Sequence, residues 1–135
     1  MTDNPVYALP GDTVEKVARL MKKEDIGPVP IVDNEQSKKL VGIVTDRDLA
    51  LKVVAESRNP GTTKVEEVMT RKLVTCRPDD DVESAMEAMA QYQLRRIPVV
   101  DDNVRLVGII SQADVATRVD EPERTAEVVK EISES

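Results

Sequence analysis

Apolar residues in this chain recur on two kinds of period. Val14, Val17, Ala18 and Met21 fall at i, i+3, i+4 and i+7, and Val82, Ala85, Met86 and Met89 repeat that spacing. Each set shares one face of a helix. Asp12 and Asp80 stand ahead of the two runs as expected N-caps, with Glu15 and Glu83 three residues further on. The short apolar runs 29–32 and 97–100 predict strands. The runs 40–44 and 106–110 are almost wholly apolar and predict strands buried on both faces. Polar stretches at 33–39 and 101–103 are the turns between them. A second helix is expected from Asp46, turning Leu49, Val53 and Val54 to a core, and again from Gln112, turning Val115 and Val119. Further short strands are expected at 6–8 and 73–76, and a short helix at 64–69.

The pattern is written twice. Val14-Glu15 matches Val82-Glu83, Met21 matches Met89, Ile26 meets Leu94, and Pro30, Val32 and Asp33 match Pro98, Val100 and Asp101, all at an offset of 68. The second turn is two residues shorter, and the offset becomes 66. Leu40-Val41-Gly42-Ile43 then lies on Leu106-Val107-Gly108-Ile109, Thr45 on Ser111 and Asp48 on Asp114. An internal repeat of this kind governs the whole reading of a fold. The order strand-helix-strand-strand-helix, twice, predicts an α/β (α+β) protein of two pseudo-symmetric repeats, 1–58 and 64–120. Pro60-Gly61 marks the turn in the join. A helical tail over 121–135 carries a thin stripe of Thr125, Val128, Val129 and Ile132. Either half alone leaves a sheet face uncovered, so the repeats are expected to pack sheet to sheet. The first repeat has no counterpart of the 65–69 lead-in, which leaves its N-terminal edge less covered.

Composition narrows the function. The 135 residues carry a net charge of −7, and Tyr7 and Tyr92 are the only aromatic residues. Excess negative charge and missing stacking platforms argue against nucleic acid as a partner. The absence of histidine removes the commonest general base and metal ligand, and the single Cys76 excludes an internal disulfide or a multi-cysteine zinc site. No apolar run approaches a membrane span, and the N-terminus lacks the basic start and apolar stretch of a secretion signal. A soluble, cytoplasmic protein without a membrane partner is expected. Catalysis is not: Thr45 and Ser111 have no histidine base, and no carboxylate cluster suggests a metal pair.

One motif carries chemistry in both repeats. Gly42-Ile43-Val44-Thr45-Asp46-Arg47-Asp48 and Gly108-Ile109-Ile110-Ser111-Gln112-Ala113-Asp114 share a Gly, two apolar residues, a hydroxyl residue, two variable residues and an Asp. The hydroxyl sits where strand becomes helix, and free N–H groups there favour a phosphate. The Asp, one turn in, is placed to accept from both hydroxyls of a ribose. The same residues also spell a helix-capping pattern, in which Thr45 and Ser111 cap and the Asp residues complement the helix dipole. Both readings stand at this point.

The sequence resembles a tandem pair of CBS domains (cystathionine-β-synthase-type), the Bateman module. The segments Ile-Gly-Pro-Val-Pro-Ile-Val-Asp at 26–33 and Leu-Arg-Arg-Ile-Pro-Val-Val-Asp at 94–101, each followed by the Gly-to-Asp motif, carry the resemblance over about 6–119. Short and without an enzyme or channel domain, the chain is similar to stand-alone bacterial and archaeal CBS-pair proteins. The resemblance implies a non-catalytic regulatory module that binds AMP, ADP, ATP or S-adenosylmethionine in two clefts, forms a homodimer and signals to an effector protein. It requires no cofactor and no metal. It places Thr45 at phosphate and Asp48 at ribose in a first cleft, with Arg47 nearby, Val74, Thr75 and Cys76 along the base, and Arg95, Arg96, Ile97 and Pro98 closing it. A second cleft would use Ser111 and Asp114 with Val6, Tyr7, Ala8, Val29 and Pro30.

The two clefts differ in charge. Gly27-Pro28 stands where the first has Arg95-Arg96, and Gln112-Ala113 where it has Asp46-Arg47. Guanidinium groups bind phosphate through paired, charge-assisted hydrogen bonds. The first cleft is therefore expected to bind a nucleotide more tightly. The contrary reading makes these arginines solvated or acid-paired surface charges. Cys76, Met21, Met86 and Met89 read as core; Asp79-Asp80-Asp81 reads as turn and cap, with a divalent-cation site as the alternative. Tyr7 is either a base-stacking or a packing residue. The competing function is an interaction scaffold whose clefts hold no physiological nucleotide.

Overall fold

The structure, a computed structural model, describes residues 2–3 and 5–113. The expectations for Asp114, Val115, Val119 and the tail lie outside those residues. The described chain divides into two compact units: residues 6–73 with 103–106, and residues 74–102 with 107–113, 2–3 and 5.

In the first unit, helix α1 runs Val14–Glu24. Its N-cap is Thr13, not Asp12: Thr13 Oγ1 accepts from the Lys16 N–H at 3.2 Å. Asp12 turns back instead, accepting from the Leu9 N–H at 2.9 Å and pairing with Lys16 Nζ at 3.1 Å. Val14, Val17 and Met21 are buried, whereas Ala18 is exposed. Ala18 and Leu20 flank the stripe on opposite sides, and the larger Leu20 is the one packed on the core. Asp25, in the left-handed region at φ 53°, ends the helix.

Strands β2 (Val29–Val32) and β3 (Leu40–Val44) pair antiparallel, Val29 opposite Val44, with an irregularity between Ile31 and Val32. Burial alternates along β3, with Leu40, Gly42 and Val44 inside and Val41 and Ile43 half-buried. The face carrying Val41 and Ile43 is half-buried, with Val41 packed against the first core, so the second face of this two-stranded sheet is less covered than the first. The strand expected at 6–8 shrinks to Ala8, which bridges parallel to Ile31. After β3 come a single-turn helix α2 (Asp46–Leu49) and a π-helical turn (Ala50–Val54). Leu49 and Val53, four apart, are buried, but Val54 is 75% exposed. The helix expected at 64–69 is a 3-10 turn, Val65–Glu67.

The second unit repeats this plan. Helix α3 (Val82–Gln91) buries Val82, Ala85, Met86 and Met89. Its cap is Asp81, accepting from the Ser84 N–H at 2.8 Å, while Asp80 accepts from the Arg77 N–H at 2.8 Å. These are the Thr13/Lys16 and Asp12/Leu9 bonds moved on by 68 residues. Both N-caps thus fall one residue later than expected, because each leading Asp closes the preceding turn. Strand β4 (Arg96–Val100) lies beside β5 (Leu106–Ser111). The strand expected at 73–76 reduces to a bridge from Cys76 to Val99. A strand not expected, β1 (Thr2–Asp3), pairs antiparallel with β5, Thr2 opposite Ile109. Its counterpart in the first unit is the bridge between Thr70 and Ile43.

Each unit has its own aliphatic core. Ala8, Val17, Val29, Ile31, Val44 and Val53 are among the residues of one. Cys76, Ala85, Met86, Met89, Ile97 and Val99 are among those of the other.

Candidate functional site

The motif of the first repeat folds into a rigid corner. β3 leaves the sheet at Val44, Thr45 is extended, and α2 begins at Asp46. Thr45 Oγ1 accepts from the Asp48 N–H at 3.1 Å, and Asp48 Oδ2 accepts from the Thr45 N–H at 2.9 Å. This is a complete capping box. The Asp46 N–H donates to the Gly27 carbonyl at 3.2 Å, which ties the helix start to the residues ahead of β2. The same tie recurs in the second unit, where the Gln112 N–H donates to the Arg95 carbonyl at 3.0 Å.

Gly42 has a packing role. A Cβ there would lie 2.6 Å from Met69 Sδ and 2.9 Å from its Cγ, so only glycine lets the Met69 side chain cross the strand. Met69 is itself buried and part of the first core.

A residue that the sequence reading passed over completes the corner. Lys52 Nζ is 3.2 Å from Asp48 Oδ1 and donates to the Val68 carbonyl at 3.0 Å. The Asp48 side chain is only 15% exposed, so its charge is partly withdrawn from water and oriented from both sides. The signal was available. Asp48 and Lys52 stand at i and i+4, and Asp114 and Arg118 repeat that acid–base spacing.

Other expected site residues fall into three groups. Ala8, Val29, Cys76 and Ile97 put their side chains into the cores, so toward any ligand they offer main chain. Ala8 is already bonded through its N–H to the Pro30 carbonyl (3.0 Å) and through its carbonyl to the Val32 N–H (3.0 Å). Cys76 makes the matching bonds to Pro98 (3.1 Å) and Val100 (2.9 Å). Burial, with a lesser push from Asp80, raises the Cys76 thiol above its ordinary value and keeps it neutral. Pro30 and Pro98 are buried, and Val6, Val74 and Ser111 are half-buried. Tyr7, also half-buried, has Lys38 Nζ over its ring at 5.5 Å, within cation–π range.

The third group is exposed or nearly so: Thr75, Arg47 and Arg95 are exposed and Arg96 is half-buried. Among the described residues no carboxylate pairs with the guanidinium of Arg47, Arg95 or Arg96. Other arginines are engaged, Arg19 with Glu15 and Arg58 with Glu67. Asp80 and Asp81 serve as the turn and cap acceptors given above. Among the described residues no three His, Cys, Asp or Glu side chains gather around a point that could hold a metal ion. No helix among them is long and apolar enough to cross a membrane.

Comparison with known proteins agrees with the repeat. The family model for the CBS domain matches residues 1–55 and again 65–121. A CBS domain-containing protein of Bacillus subtilis, YhcV, is 41% identical over 116 residues, 86% of this chain and 79% of its own. The solved CBS domain pair of protein MJ0100, in complex with 5′-methylthioadenosine and S-adenosyl-L-methionine, superposes with a TM-score of 0.74 at 32% identity, over 87% of this chain and 92% of that one. A hexameric CBS-CP12 protein from bloom-forming cyanobacteria superposes with a TM-score of 0.72 at 32% identity, over 90% of this chain and 71% of that one.

Proposed function

This chain belongs to the CBS-domain family, and from that premise we propose that it is a non-catalytic sensor of adenosine-containing ligands. The observation that carries the reading is the Thr45–Asp48 corner. Asp48 is part-buried and fixed in orientation, as an acceptor for a ribose diol needs to be. The likeness to a domain pair that holds two adenosine compounds supports the ligand class. Arg47, Arg95 and Arg96, whose guanidinium groups no carboxylate pairs among the described residues, support a phosphate on the ligand, and the charge contrast between the repeats in the sequence favours the Thr45/Asp48 motif over Ser111/Asp114. In this proposal the repeats 1–58 and 64–120 act as one module in the cytoplasm, two copies associate, and ligand binding shifts the balance between two arrangements that an effector protein reads.

The test is thermal unfolding of nucleotide-stripped protein with AMP, ADP, ATP, S-adenosylmethionine, 5′-methylthioadenosine and a guanosine control. Ligand at about 100 times its dissociation constant stabilises by roughly 2.7 kcal/mol, several degrees for a domain of this size. A shift with adenosine compounds that disappears in Asp48→Ala supports the proposal. No shift with any of them favours the interaction scaffold. That second reading has its own observation: Leu51, 51% exposed, and Val54, 75% exposed, lie three residues apart on the outside of the helix that follows Asp48.

A further inference from the structure

We propose that Lys52 is a positioning residue for the Asp48 carboxylate and sets the protein's discrimination between ribose and deoxyribose; this rests on the adenosine reading above. An ionised carboxylate has about four lone-pair sites. At Asp48 one is taken by the Thr45 N–H on Oδ2, while Oδ1 is ion-paired with Lys52 Nζ at 3.2 Å. Acceptor capacity remains on both oxygens, which is what two neighbouring hydroxyls require.

Lys52 does more than screen charge. Its ammonium donates to the Val68 carbonyl at 3.0 Å, which anchors it while it pairs with Asp48. Val68 is buried at the end of the 3-10 turn, next to Met69, which crosses Gly42. The carboxylate is thus held from the helix start by Thr45 and from the Val65–Glu67 segment by Lys52. A carboxylate bonded at one oxygen only turns through a broad torsional well, and an unpaired charge at a part-buried site loses its strongest partner. The π-helical turn Ala50–Val54 holds Lys52 and begins two residues after Asp48, and such turns occur often at functional sites.

The experiment compares wild type, Lys52→Met and Lys52→Arg. Lys52 is 45% exposed in its side chain, so neither change enters a core. Two quantities are read: hydrogen exchange of the Thr45 amide in ligand-free protein, with the Ala8 amide as internal control, and the ratio of dissociation constants for 2′-deoxyadenosine and adenosine. In Lys52→Met the Thr45 amide is expected to exchange several-fold faster with Ala8 unchanged, and the deoxy/ribo ratio to fall by about tenfold. Lys52→Arg restores both. An unchanged Thr45 amide overturns the proposal whether or not ligand binds. A faster amide with an unchanged ratio also overturns it, since Lys52 would then only stabilise the helix. If wild type binds neither nucleoside, the adenosine reading itself has failed and the proposal falls with it; that result is visible in the wild type alone.

Discussion

Thr45 and Asp48 satisfy each other's backbone: the hydroxyl of one accepts the amide of the other at 3.1 Å, and the carboxylate returns the bond at 2.9 Å. The capping box and the proposed ligand corner therefore use the same two side chains, so capping does not by itself exclude the proposed role. Capping sets the carboxylate, and the carboxylate is what a diol would meet. Thr45→Ala and Asp48→Ala should each destabilise the protein by about 1 kcal/mol. Because the two bonds form one unit, the double variant should cost clearly less than the sum. Urea unfolding of the four proteins checks this. Strict additivity would show that the box contributes nothing as a pair.

Gly42 and Gly11 give a matched contrast. A methyl group at Gly42 collides with Met69 Sδ and Cγ, whereas nothing lies within 4 Å of the Cβ position at Gly11. Overpacking of this kind costs about 1–3 kcal/mol. Gly42→Ala should lower the unfolding midpoint, and Gly11→Ala should leave it within about 0.5 kcal/mol of wild type. Met69→Ala, itself costly in the core, should cost clearly less in the Gly42→Ala background than in wild type, because the truncation there also relieves the clash. A Gly42→Ala protein as stable as wild type would mean that Met69 has another place to go.

The repeat made much of this legible. Asp46 N–H to Gly27 carbonyl and Gln112 N–H to Arg95 carbonyl join the two offsets read from the sequence, 68 before the turn and 66 after it. Ala8 and Cys76 make the same pair of bonds in their separate units. What escaped was what depends on one side chain's local alternatives. Asp12 and Asp80 read as the caps, but each closes a turn, and the cap passes to Thr13 and Asp81. Strand β1 was invisible because two residues carry no period. Lys52 was hidden by the number of charges on the chain, since most i, i+4 pairs are solvated and weak. Only the anchoring carbonyl of Val68 marks this one as different.

Two carboxylates among the described residues contribute to the acid limb of stability. The Ser37 hydroxyl, then the backbone N–H groups of Lys39 and Asn34, hold Asp33 below its ordinary value. The Lys64 N–H, then Arg58, hold Glu67 below its own. A lowered folded value means that the unfolded chain binds protons first as pH falls. The stabilisation is complete above the ordinary values of 3.8 and 4.5 and is lost as pH drops through the lowered folded ones. Asp33→Ala and Glu67→Ala should therefore flatten the fall in urea midpoint below about pH 5, with little change in slope above it. A fall as steep as in wild type would assign the acid limb to other groups.

The unpaired arginines separate the sensor from a module that merely tolerates nucleosides. With no carboxylate partner among the described residues, Arg47, Arg95 and Arg96 contribute little to folding through charge. Each change to Gln should move stability by no more than about 0.5 kcal/mol. Against a phosphate, a charge-assisted hydrogen bond is worth about 1.5–3 kcal/mol, roughly tenfold or more in affinity. The expected result is a loss confined to phosphorylated ligands: AMP binding weakens by about tenfold per change while adenosine binding stays level. Calorimetry with both ligands on each variant reads this directly. Its stoichiometry also says whether one cleft or two fill at the affinity of the first. Equal losses for AMP and adenosine would place the arginines against the nucleoside and not the phosphate. Tighter filling of a site insensitive to all three would move the principal cleft to Ser111.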